Sequence, residues 1–150
     1  MRKVCLFIAM SLDGYIAKPN DDLSFLKLVE KEGEDYGYAA FTDSTDTLII
    51  GRKTYEYVVR TLGSSFYDTG QRDVCVMTRR HLPSKGRVIF YSQPIEHLIQ
   101  TLQSEKGKHI YCDGGAEVIH SLLNQDLVDE MTLSIVPVFL GEGVRLFKEG

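Results

Sequence analysis

Three carboxylates stand where they could do chemistry. Asp113 follows the apolar run His109-Ile-Tyr-Cys and directly precedes Gly114-Gly115. That is a strand's C-terminal end, where ligands of open α/β sheets lie. A carboxylate there could accept hydrogen bonds from a ring amino or amide N–H and assist a nearby proton transfer. Asp22, followed by Leu23, Ser24 and Phe25, fits a substrate-side acid and equally an ordinary helix N-cap. Asp13, in Ser11-Leu-Asp-Gly14, fits a substrate-side acid or a turn former before glycine. The pair Asp129-Glu130 opens a strand and reads as solvated.

Anion chemistry has its own candidates. In Thr47-Leu-Ile-Ile-Gly-Arg-Lys-Thr-Tyr-Glu56 an apolar run stops at Gly51, and a helix-compatible segment starts at once with Arg52, Lys53 and Thr54. A strand feeding a helix through glycine aims free backbone N–H groups and the positive end of the helix dipole at one point, which suits a phosphate. The same residues would also make a plain helix start. Gly114-Gly115, before a helical stripe beginning at Val118, is a second junction of this kind, and glycine there lets backbone approach a ligand closely. Thr78, Arg79 and Arg80 end the run from Val76 and could hold a further phosphate or form a solvated basic turn.

Other chemistries lack their spacing. Cys5, Cys75 and Cys112 are odd in number, lie in apolar runs and show no CxxC pattern, so they read as buried thiols. His81, His97, His109 and His120 fall on different segments without ligand spacing, and no metal is expected. Gly141-Glu-Gly143 lacks the third glycine of a dinucleotide fingerprint and reads as a turn, and neither GxxxxGK[ST] nor GxSxG occurs. The net charge of −4 argues against a nucleic-acid or membrane-surface role, since a phosphate-backbone binder carries a basic face. The first apolar run is too short for a signal peptide or membrane span, so a cytoplasmic location is expected.

Positioning these residues requires a sheet. Short β-branched runs at Val4 to Met10, Thr47 to Ile50, Val74 to Thr78, Val88 to Tyr91, His109 to Cys112 and Met131 to Val138 read as buried strands. Between them lie helical stripes: Ile95, Leu98, Ile99 and Leu102, then Val118, Ile119, Leu122 and Leu123. A longer helix is expected from Asp22 to about Phe41, with Gly33 and Gly37 weighing against its second half. Loops fall at 63 to 73, 81 to 87 and 104 to 108. The alternation predicts one α/β domain over residues 1–150 with a mainly parallel sheet.

Taken in order, these segments resemble the dihydrofolate reductase superfamily over nearly the whole chain. Ile8-Ala-Met-Ser-Leu-Asp-Gly-Tyr-Ile-Ala17, GRKTYE from Gly51, VMTR from Val76 and GGAEVI from Gly114 are similar to its cofactor-contact segments. The finer resemblance is to the reductase domain of the bacterial riboflavin-biosynthesis deaminase/reductase. Ser-Leu-Asp-Gly, the acid before Gly-Gly, and Leu127-Val-Asp-Glu-Met131 leading to Pro137-Val-Phe-Leu-Gly-Glu-Gly143 and Leu146-Phe147 carry it.

The resemblance implies a three-layer sandwich with helices on both faces of the sheet. It also implies NADPH as cofactor, with hydride passing to a pyrimidine or pterin-like ring. Ala9 and Ile16 would line the nicotinamide pocket. Arg52, Lys53 and Thr54, after Gly51, would contact the 2′-phosphate or pyrophosphate, and Thr78 and Arg79 the adenosine phosphate end. Gly114, Gly115, Ala116, Glu117 and Val118 would meet the pyrophosphate, with a cis peptide at Gly114-Gly115. Asp22 takes the acidic position of the dihydrofolate reductase substrate helix, and Asp113 that of the riboflavin branch. Either would be the catalytic acid, with Asp13 beside the substrate. Two departures bear on folate reduction itself: Phe25 stands where dihydrofolate reductases often have Trp, and Ile119 where they have an aromatic residue. A homodimer through the strands around Met131 to Leu140 and a final hairpin after Phe147 are implied too. A cofactor-binding sensor without turnover and a plain α/β scaffold are the competing functions.

Overall fold

The computed structural model describes residues 2–63, 65–67 and 72–147. In chain order its regular elements are β1 (Val4–Ser11), β2 (Tyr15–Ala17), α1 (Tyr38–Asp43), β3 (Thr45–Gly51), α2 (Arg52–Leu62), β4 (Asp73–Met77) and β5 (Val88–Tyr91). Then come α3 (Ile95–Ser104), β6 (His109–Gly114), α4 (Ala116–Asn124), β7 (Glu130–Val136) and β8 (Val144–Arg145). Six strands pair in parallel in the order β5-β4-β3-β6-β1-β7, and β2 pairs with β8 in a separate antiparallel ribbon.

This order decides where the helices go. The connections through α1 and α2 carry the chain from β1 toward β5, and those through α3 and α4 carry it back to β6 and on to β7. Right-handed crossovers travelling in opposite directions cover opposite faces. On one face Leu48, Ile50, Val74, Val76 and Tyr111 pack with Tyr55 of α2 and Phe41 of α1. On the other, Val4, Leu6, Ile49, Ile110 and Cys112 pack with Ile95, Leu98, Ile99 and Leu102 of α3 and with Ile119 and Leu122 of α4. Successive strand residues alternate between the two cores, as the period of two requires. The expected three-layer sandwich and parallel sheet are therefore present. Cys5, Cys75 and Cys112 are buried and unpaired; exclusion from water pushes the Cys5 thiol up to about 11 and the other two to about 12.

The long helix expected from Asp22 to Phe41 does not form. The chain makes 3-10 turns at Pro19–Asp21 and Ser24–Val29, and only Tyr38–Asp43 is α-helical. Gly37 has φ 86°, a left-handed conformation that stops a right-handed helix and favours glycine. The Asp35 carboxylate then accepts from the N–H groups of Gly37 (2.9 Å) and Ala39 (3.0 Å), restarting the helix locally. The hairpin expected after Phe147 lies outside the described residues, as do positions 64 and 68–71 of the loop expected at 63 to 73. Among the described residues no helix is long and apolar enough to cross a membrane, and no group of His, Cys, Asp and Glu could hold a metal ion.

Candidate active site

Helices leave β3 and β6 on opposite faces of the sheet although the two strands are neighbours. Such a switch point opens a crevice at the strands' C-terminal ends. Both glycine junctions are in it. Ile50 is the register partner of Gly114, and Gly51 that of Met77, so the ends of β6, β3 and β4 line up with Thr78 one residue beyond.

The junctions touch each other. A Cβ on Gly51 would come 3.3 Å from Val118 Cγ2 and 3.4 Å from the Gly115 nitrogen, and one on Gly115 would come 3.2 Å from Thr54 Oγ1. Glycine makes this approach possible without displacing either neighbour. The Gly114-Gly115 peptide is cis. Gly51 is the N-cap of α2 and Gly115 that of α4, and neither helix has a side-chain cap. Two sets of first-turn N–H groups are thus left for another partner, and an anion meets their requirements. Around them Arg52 is half-buried and pairs with Glu56 at 3.2 Å, Lys53 is exposed, and Arg79 is exposed at the end of β4. Thr78 Oγ1 accepts from the Arg80 N–H at 3.2 Å, so Thr78, Arg79 and Arg80 form a tight turn at that end. Ala116, Glu117 and Val118 make the first turn of α4, with Glu117 its one acid. Ala9 lies in β1 opposite Ser134, and Ile16 packs against the core from β2.

The three carboxylates differ sharply. Asp13 is committed to its loop: it accepts from Ser11 Oγ at 2.5 Å, from the Leu140 N–H at 3.1 Å and from the Gly141 N–H at 2.8 Å. The Ser11 bond first, then these amides, hold it down at about 2. Asp22 is exposed and accepts from the Ser24 N–H at 2.8 Å, which lowers its pKa and is the capping geometry. Asp113 opens onto a concavity. A cavity of about 250 Å³ is walled by Tyr38 of α1, Val58 and Leu62 of α2, and by Phe66, Tyr67 and Arg72, with Tyr111 and Asp113 on β6. Water reaches Asp113 from the open side. The protein crowded around its carboxyl nevertheless raises its pKa, against the lowering effects of the Tyr111 hydroxyl and the Arg72 charge. Asp22 does not line this cavity, so the two candidate acids occupy different places.

No sequence motif marks Tyr111, Arg72, Tyr38 or Tyr67. Tyr111 carries a usable signal all the same: two residues before Asp113 on one strand, it is expected on Asp113's face, and the two side chains do meet despite the register shift between Cys112 and Gly114. The other three come together through the tertiary fold.

The RibD C-terminal domain family matches residues 2–150 of this chain. The Bacillus subtilis protein YwjB, itself uncharacterized, is 37% identical over 150 residues, covering 99% of this chain and 84% of its own. A Shewanella structure assigned by name to riboflavin biosynthesis is 30% identical with a TM-score of 0.83, covering 98% of this chain and 84% of that one. Dihydrofolate reductase from Enterococcus faecalis, solved with NADP(H), shares the fold at a TM-score of 0.61 and 16% identity, over 97% of this chain and 77% of that one. With nearly every residue matched, the chain belongs to the RibD C-terminal domain family.

Proposed function

We propose that this protein is an NADPH-dependent reductase of a pyrimidine or pterin-like heterocycle, of the riboflavin-biosynthesis type, with Asp113 as its substrate-facing carboxylate. One observation carries the reading: two helix N-termini without side-chain caps meet through glycine at the sheet's switch point, and the residue just before Gly114 on β6 is the acid of an aromatic-walled cavity. That cradle fits a dinucleotide pyrophosphate, held by the amides following Gly51 and Gly115. Arg52, Lys53 and Arg79 supply the positive charge that a 2′-phosphate would require.

The nicotinamide would supply hydride to a C=N or C=O carbon of the substrate. The chain's own part is positioning and charge. Tyr38, Phe66 and Tyr67 offer flat apolar walls to a planar ring, and ionised Asp113 accepts N–H bonds from it and fixes its orientation. The proton needed at the reduced heteroatom would come from water, so that Asp113 can stay ionised while it orients the ring. Folate reduction through Asp22 has less support, because that side chain caps a turn in solvent. Homodimer formation belongs to the same proposal: β7 ends the sheet, and Ile135 and Phe139 near it are 54% and 78% exposed. Sedimentation velocity at micromolar concentration reads that directly.

The decisive experiment is NADPH oxidation with a panel containing 5-amino-6-(5-phosphoribosylamino)uracil and dihydrofolate, with calorimetry for NADPH and NADH. Turnover on the uracil and tighter binding of NADPH are expected. Arg52→Ala with Arg79→Ala should weaken NADPH by about 10- to 100-fold and NADH much less. Equal weakening of both would remove the 2′-phosphate assignment, and binding without consumption on every substrate would favour a sensor.

A further inference from the structure

The cavity at Asp113 contains a second polar group with no assigned task. Tyr111 is 3% exposed, lies two residues before Asp113 and shares its face of β6. Its ring packs edge-on against Phe41, with centroids 4.8 Å apart and an interplanar angle of 90°. A phenylalanine would make that contact equally well, so packing does not explain the hydroxyl. Burying a hydroxyl is costly unless it is hydrogen-bonded. This one donates to Asp113 Oδ1 at 2.9 Å. Among the described residues no hydrogen bond reaches Oδ2.

We propose that Tyr111 is a positioning residue: its hydroxyl fixes one oxygen of the Asp113 carboxylate, leaving the other oxygen for a ligand in the cavity. The functional part rests on the reading of Asp113 as the substrate-facing acid. The donor role is one-directional, because burial, and then the Asp113 charge, push the Tyr111 phenol far above its ordinary range, so it stays protonated whenever Asp113 is ionised. Among the described residues few groups face Asp113. Tyr38 comes from α1 and also borders the Tyr111 hydroxyl, Tyr67 and Arg72 come from the segment before β4, and α2 contributes only Val58 and Leu62. Arg72 also donates to the Thr42 carbonyl at 3.3 Å, and Tyr67 stacks on Tyr55. Only Tyr111 gives the carboxylate a direct hydrogen bond among them. Without it, the crowding around the carboxyl is opposed by the Arg72 charge alone and the carboxyl protonates at higher pH.

Tyr111→Phe separates this role from packing. The Asp113 carboxyl is followed by carbon-13 NMR across pH in ligand-free wild type and variant, assigned by its loss in Asp113→Asn. An upward move of the midpoint in Tyr111→Phe is expected. The acid limb of kcat/KM for NADPH oxidation should move up with it, and kcat/KM should fall by about 10- to 100-fold at pH 6, the range for a lost bond to a charged group. In wild type the Tyr111 ring carbon bearing the hydroxyl should shift with the same midpoint as Asp113, a readout that needs no variant to fold. Unmoved midpoints in both NMR measurements overturn the proposal. If they move while Asp113→Asn turns over like wild type, Tyr111 still positions the carboxylate and it is the substrate assignment of Asp113 that fails.

Discussion

Asp13 and Asp113 show what surroundings do to one side chain. Asp13 receives a hydroxyl and two amides and is held at about 2; Asp113 receives one hydroxyl amid crowded rings and is pushed up. The consequences for stability have opposite signs. The contribution of Asp13 is present above the ordinary aspartate value near 3.8 and is lost as pH falls toward 2. For Asp113 the contribution is full below 3.8 and is lost as pH rises through its raised value. Asp13→Asn should therefore lower the melting temperature at pH 7 while the gap to wild type closes toward pH 2. Asp113→Asn should melt at or above wild type at pH 8, with no advantage below pH 3.5, and should lose about 100-fold or more in turnover. A melting temperature below wild type at pH 8 would mean that the carboxylate stabilises the fold and is not strained for function. Both profiles come from one calorimetric pH series.

At the scale of elements, the site is the meeting of α2 and α4, and the two glycines set how closely they approach. Alanine at 115 would bring its Cβ to 3.2 Å from Thr54 Oγ1, tight enough that Thr54 must give by a few tenths of an ångström. Gly115→Ala should cost about 1–3 kcal/mol and weaken NADPH binding. Thr54→Ser keeps Oγ and gives no relief, whereas Thr54→Ala empties the space and should restore about 1 kcal/mol of stability in a double-mutant cycle read by urea denaturation. Additive effects would show that the two helices do not press on each other there. This junction was legible in the sequence because an apolar run, glycine and a basic helix start are local signals, and the stripes of α3 and α4 were legible for the same reason. The segment from 22 to 41 was not: Leu23, Leu26 and Val29 sit at helical intervals, but the Asp22 and Asp35 carboxylates bond backbone two and four residues on, and Gly37 turns left-handed. Nor was the cavity legible, since Phe66, Tyr67 and Arg72 reach Asp113 only because β4 lies beyond β3, one strand away from β6.

Across the whole molecule, the end of the sheet opposite the site is closed by Arg2, which is 5% exposed. Its Nε donates to the Lys108 carbonyl at 2.7 Å and Nη1 to the Leu102 carbonyl at 2.9 Å, while Nη2 donates to Asp46 Oδ1 and Thr47 Oγ1, both at 2.6 Å. One guanidinium thus joins the entry of β1 to the start of β3, the last turn of α3 and the approach to β6. Those are the segments whose register brings Gly51 and Gly114 together at the far end. Arg2→Met keeps much of the apolar stem but removes four bonds at once: the Lys108 carbonyl loses its side-chain donor, while the Leu102 carbonyl, the Thr47 hydroxyl and the half-exposed Asp46 carboxylate keep their other partners. Such a loss should cost about 2–4 kcal/mol. Arg2→Lys retains the charge without the planar fork and should recover less than half of it. Because the bonds are buried, 0.5 M NaCl should change the wild-type value little. Urea unfolding at two salt concentrations measures all of this, and NADPH calorimetry on the folded fraction should give a wild-type Kd, since no Arg2 partner belongs to the cofactor cradle. A loss below about 1 kcal/mol, or one that salt abolishes, would reduce Arg2 to a surface ion pair and leave the sheet's register to its apolar cores alone.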